Sequence, residues 1–193
     1  MTSEDGHFKY LGCFLMDRFN KLSAAIFLSI LISGCVNDPS KRTPGVFIDD
    51  AVLEPIVRQE IRNSDDGFQG SHLVVVSYNG IVLLAGQVAT EQLKSKAAEV
   101  AQSLQRVRKV HNELSVGGPI SLVARTNDSW LTTKVKSRLL VSDEAYGTKT
   151  KVITENGVVY LMGLLTREQA DNAVSVTSKV YGVQKIVKVF EYL

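Results

Sequence analysis

Asn79-Gly80-Ile81-Val82-Leu83-Leu84-Ala85-Gly86 returns later in the chain as Asn156-Gly157-Val158-Val159-Tyr160-Leu161-Met162-Gly163. Asn-Gly tolerates the positive φ angles of a type I′ turn, so each stretch reads as the turn and second strand of a β-hairpin. The likeness extends outward on both sides. Upstream, Asp50-Ala51-Val52-Leu53 answers to Asp128-Ser129-Trp130-Leu131, Val57 to Val135 and Ile61 to Leu139. Downstream, Glu91-Gln92 answers to Glu168-Gln169, and Val107 with Val110 answers to Val183 with Ile186. The offset drifts from 78 to 76 residues, which marks a tandem duplication of one small domain rather than a solenoid.

Each copy carries the same order of elements. Leu53, Val57 and Ile61, or Leu131, Val135 and Leu139, recur at i, i+4, i+8 and predict an opening helix. Asp50 and Asp128 precede these stripes and read as N-caps. Two strands follow, 73–78 and 81–85 in copy one and 151–155 and 158–162 in copy two, with Gly86 and Gly163 read as strand ends. A second helix uses Leu93, Ala97, Val100, Ala101 and Leu104, or Ala170, Ala173, Val174, Thr177, Val180 and Tyr181; Thr166 and Gln169 fit a capping box. A last strand, 109–116 or 185–192, completes the unit. The expected class is α+β: two tandem α-β-β-α-β domains, each with its helices on one face of a three-stranded mixed sheet. The domains are expected at 49–117 and 127–193, joined by a linker at 118–126 around Gly117-Gly118-Pro119.

The N-terminal region has a different grammar. Arg18 and Lys21 form a basic n-region, Leu22 to Ile32 an apolar h-region, and Leu31-Ile32-Ser33-Gly34-Cys35 a lipobox. The small residues Ser33 and Gly34 suit a peptidase that cuts before a lipid-modified thiol, and the apolar run is too short to span a bilayer as a helix, which takes about 20 residues. Residues 1–34 therefore read as a signal peptide and Cys35 as the lipidation site. Met16 heads a more conventional signal peptide than Met1, so Thr2–Leu15 is either upstream of the true start or an unusually long n-region. Residues 35–48 read as a lipidated tether, polar and aperiodic through Gly45. Val36, where aspartate would commonly signal inner-membrane retention, favours an outer-membrane anchor facing the periplasm.

The opening helix, the Asn-Gly hairpin and Val107-Arg108-Lys109-Val110-His111-Asn112-Glu113-Leu114 resemble the BON domain. Two copies behind a lipobox resemble the dual-BON outer-membrane lipoproteins of Gram-negative bacteria. The likeness is closest at Asn127–Lys136 and Thr154–Gly157; copy one departs at Arg106, where the family usually has the glycine that copy two keeps as Gly182. The resemblance implies a non-enzymatic protein that binds anionic phospholipid, supports outer-membrane integrity, and is associated with the division site and the barrel assembly machinery.

Duplication supplies an internal control for where lipid would bind. At matching positions of the first helix, copy one has Val52, Ile56 and Glu60, whereas copy two has Trp130, Lys134 and Arg138. On a wheel of about 100° per residue, Trp130 lies about 140° from the buried Val135 and points outward. Thr133 and Leu140 lie near it, Lys134 and Arg138 fall between it and the core stripe, and Lys136 flanks the other side. An indole ringed by cations suits a lipid headgroup layer, each cation contributing about 1 kcal/mol near an anionic surface. The alternative is that Trp130 covers the sibling domain. Residues 49–117 carry 7 Lys+Arg against 9 Asp+Glu and residues 126–193 carry 9 against 7, so the basic surface belongs to copy two.

Other functions find less support. A net charge of +2 in 193 residues does not suggest a nucleic-acid binder. Cys13 and Cys35 offer no disulfide framework. His72 and His111 are not repeated in copy two, and Asp65-Asp66 and Asp143-Glu144 read as solvated turns, so no catalysis, metal, cofactor or small-molecule substrate is expected. Carbohydrate binding would need an exposed aromatic row that is not evident. The competing reading is a periplasmic scaffold that docks on the barrel assembly machinery and touches lipid only through Cys35.

Overall fold

In a computed structural model, the described residues are 43–118, 122–142 and 144–193. Cys35, the lipobox and the tether up to residue 42 lie outside the described residues, as do Pro119, Ile120 and Asp143.

The first helix, α1 (Pro44–Ser64), begins earlier than its apolar stripe suggests. Thr43 is the N-cap, its hydroxyl accepting from Val46 N–H at 3.4 Å, and Pro44 opens the helix where a missing N–H costs nothing. The end of the expected tether is therefore helical. Leu53, Val57 and Ile61 point into the core as expected. Strands β1 (His72–Tyr78) and β2 (Ile81–Val88) pair antiparallel across Asn79-Gly80, whose φ angles of 53° and 71° are those of the expected turn. Helix α2 (Glu91–Ser103) is capped by Thr90 and buries Leu93, Ala97 and Ala101. The chain then returns parallel to β2, but as two short strands rather than one, β3 (Lys109–Asn112) and β4 (Ser115–Val116). The break falls at Glu113-Leu114, where Leu114 turns into the core and its N–H donates to Asn112 Oδ1 at 3.3 Å instead of to the neighbouring strand.

Copy two repeats the plan with α3 (Leu122–Ser142), a one-turn helix α4 (Glu144–Gly147) where a loop was expected, β5 (Lys151–Glu155), β6 (Val158–Leu165), α5 (Arg167–Ser178) and β7 (Lys185–Tyr192). The hairpin is antiparallel, β7 runs parallel to β6, and the Thr166–Gln169 capping box forms in both directions. Three sequence expectations fail here. Gly86 and Gly163 lie inside β2 and β6, not at their ends. Tyr181 is not on the core stripe: α5 stops at Ser178, and Tyr181 sits beyond it, 87% exposed. Asp50 and Asp128 are not N-caps, because α1 and α3 both start six residues before them.

Those two aspartates have another task. Both are buried, and each reaches from its helix to the hairpin of its own sheet. Asp50 accepts from Asn79 N–H at 2.7 Å, Gly80 N–H at 3.0 Å and Ser77 Oγ at 2.6 Å. Asp128 accepts from Asn156 N–H at 2.8 Å and Gly157 N–H at 2.9 Å. A carboxylate thus satisfies amides that the tight turn leaves without a strand partner, which fixes helix to hairpin.

Packing goes one layer beyond the expectation. On one face of each sheet lie its helices: Val75, Val82 and Leu84 meet Leu53, Val57 and Ile61, and Val152, Val159 and Leu161 meet Leu131, Val135 and Leu139. The opposite faces form a third core from both copies, where Val76, Tyr78, Ile81, Leu83 and Ala85 join Tyr160, Met162 and Val189. The layer order is helix, sheet, sheet, helix. Polar contacts ring this shared core. His72 Nε2 lies 3.3 Å from Glu155, and Tyr78 OH donates to Lys149 O at 3.1 Å. Lys151 reaches Glu54 at 2.7 Å. Arg108 pairs with Glu191 at 2.6 Å, which holds the Glu191 carboxyl below its usual range and raises the guanidinium. Burial pushes the Glu155 carboxyl up, against the opposing pull of His72.

Candidate membrane-binding site

Packing decides which side of α3 is free. Leu131, Val135 and Leu139 are fully buried, so the helix presents Trp130 (55% exposed) and Leu140 (44% exposed) on its outer surface together with Thr133, Lys136 and Arg138. Trp130 takes no part in the core between the copies. Thr133 Oγ1 donates back to Ser129 O at 3.1 Å, a local bond that keeps its hydroxyl on the helix.

The expected residues fall into two groups. Lys134 Nζ lies 4.4 Å from the Trp130 ring centre and 5.8 Å from that of Tyr181, so one ammonium links an aromatic on α3 to one beyond α5. A cation over an aromatic face is attracted by about 0.5–1 kcal/mol at exposed sites, enough to bias the ring's orientation but not to lock it. Arg138 is on this same flank, lining a groove with Lys179. Thr133, Lys136 and Leu140 lie across the helix crest, on the flank away from α5. Tyr181 was legible as a surface residue through the duplication: its counterpart in copy one is Gln105, polar and exposed.

The corresponding face of α1 differs in chemistry. Ile48, Val52 and Ile56, spaced four apart, are 60%, 46% and 42% exposed, an apolar strip with no cation among them. Among the described residues, no group of three His, Cys, Asp or Glu side chains could hold a metal ion, and no helix is long and apolar enough to cross a membrane. His111 is half-buried, and that burial lowers its pKa, with Lys109 acting in the same direction.

The BON domain model matches residues 49–118 and again 127–193. The chain belongs to the BON family. Both BON copies fall on the two halves of the four-layer body. Among its relatives, the outer membrane lipoprotein DolP of Haemophilus influenzae is 39% identical over 192 residues, covering 92% of this chain and 98% of that protein. A 21 kDa hemolysin of Actinobacillus pleuropneumoniae is 40% identical over 79% of this chain and 78% of its own length. The osmotically-inducible protein Y of Escherichia coli is 28% identical over 77% of this chain and 75% of its own. With two BON domains and a lipoprotein relative matched nearly end to end, the chain is an outer-membrane lipoprotein.

Proposed function

We propose that this lipoprotein is anchored through Cys35 and uses the first helix of its second BON domain to bind anionic phospholipid, in support of outer-membrane integrity and at the division site in particular. The observation that carries the reading is Trp130, half-exposed on α3 with the Lys134 ammonium 4.4 Å from its ring. An indole prefers the interface between headgroups and acyl chains, and Lys134, Lys136 and Arg138 surround it with the charge that phosphates attract. Thr133 and Leu140 complete the contact. The acyl chains on Cys35 supply attachment, so this weaker contact reports lipid composition and directs position within the membrane. No reacting group is required. The test is binding of fragment 36–193 to phosphatidylglycerol and phosphatidylcholine vesicles. Binding is expected to the anionic vesicles only, and Lys134→Glu should weaken it about 10- to 30-fold, from a cost of about 1 kcal/mol for each unit of charge changed. Equal binding to both vesicles, or full binding by Trp130→Ala, would overturn it.

A second reading is supported by the apolar strip Ile48, Val52 and Ile56. In it, α1 docks on a protein of the barrel assembly machinery, and lipid is touched only through Cys35. Crosslinking from Val52 in cells, with Trp130 variants retaining full function, would favour this reading over the first.

A further inference from the structure

Beside the Trp130 face runs a groove of about 260 Å³ between α3 and the end of α5, lined by Arg138, Val141, Ser142, Val176, Lys179 and Val180. Its two cations come from different elements, Arg138 from α3 and Lys179 from the C-cap of α5. Among the described residues neither has a carboxylate partner, and none of the lining residues is acidic. A lysine at a helix C-terminus is ordinary, since it offsets the negative end of the helix dipole. That explanation does not extend to Arg138 facing it, or to the apolar rim. Val141 is 87% exposed, and Tyr181, at the tip of the turn two residues after Lys179, is 87% exposed as well. Lys134 joins this rim to Trp130.

We infer that the α3–α5 groove seats the phosphate of an anionic phospholipid between Arg138 and Lys179, with Tyr181 and Val141 entering the interface beside Trp130. The inference rests on the proposed lipid contact of α3 and extends it to a second element. Two cations that line one groove from different elements offer charge to one phosphate from two sides, which a row of cations along a single helix does not. The apolar rim and continuity with Trp130 commit the groove to a bilayer lipid rather than to a free phosphate. An aromatic at a turn tip places its ring at headgroup depth without moving the helix that carries it.

The test uses the mature lipidated protein in vesicles of phosphatidylglycerol or phosphatidylcholine, with Tyr181→Cys labelled by a polarity-sensitive fluorophore. Trp130, the only tryptophan in the chain, serves as a reporter in the same sample. The label at position 181 is expected to shift to the blue in the anionic vesicles alone. Lys179→Glu should abolish that shift while Trp130 still responds. A label that reports water in both vesicles while Trp130 responds to phosphatidylglycerol would overturn the two-element seat and leave α3 as the sole contact. Silence of both reporters would overturn the α3 contact as well. Because Tyr181 and Lys179 are exposed, unchanged thermal unfolding of the variants is expected and separates these outcomes from misfolding.

Discussion

Asp50 and Asp128 show how one residue type serves two structural purposes that look alike in sequence. An aspartate just before an apolar stripe is the usual mark of a helix start, and the stripe here says nothing about the six helical residues upstream. The distinguishing contact lies 28 to 30 residues away, in the amides of the Asn-Gly turn, and only the fold brings it near. The turn itself was fully legible, since Asn79 and Asn156 adopt the positive φ angles their sequence predicts. Truncating the clamp strands two amides in a turn that is partly or fully buried. Asp128→Ala is therefore expected to destabilise the protein by about 3 kcal/mol, the cost of losing charge-assisted bonds to groups with poor access to water. Urea unfolding of fragment 36–193 checks this, and a loss below about 0.5 kcal/mol would contradict the clamp.

At the scale of elements, the order of the main strands and helices is readable from periodicity, while the split of the last strand of copy one, the one-turn α4 and the second face of each sheet are not. Ile81 to Ala85 and Val158 to Met162 are unbroken apolar runs, the signature of strands covered on both sides. Alternation would have left one face wet; its absence was the available clue. The glycines within these strands also have a physical reason invisible in a local reading. Gly86 has φ 108°, and a Cβ there would fall 2.0 Å from His72 O across the hairpin. Gly163 is similarly crowded, with Lys149 O at 2.7 Å from an added Cβ. Gly86→Ala is expected to cost roughly 3 kcal/mol or more, combining backbone strain with a contact that the antiparallel pair cannot relax. Gly117→Ala, where an added Cβ meets nothing, should stay within about 0.5 kcal/mol. Thermal unfolding of the two variants side by side reads the contrast.

At the scale of the molecule, the duplication explains both the architecture and the division of surfaces. His72 with Glu155 and Lys149 with Tyr78 join the same pair of repeat positions, since 72 corresponds to 149 and 78 to 155, the first through two side chains and the second through a phenol and a backbone carbonyl. Two copies that share a core in this way are free to diverge on their outer helices. Copy one has an apolar face on α1, and copy two has Trp130, Lys134 and Arg138 at the matching positions of α3. That difference is visible by aligning the halves, whereas Lys179 and Tyr181 reach α3 from the C-cap of α5 and the turn beyond it, which only the fold brings near. The family and the outer-membrane setting follow from the matched domains and relatives. Contact between copy two and lipid remains the central claim, and the single tryptophan makes it directly measurable. Emission from Trp130 in fragment 36–193 should shift to the blue on titration with phosphatidylglycerol vesicles and stay unchanged with phosphatidylcholine vesicles. An unchanged spectrum with both, or the same shift with both, would contradict the account.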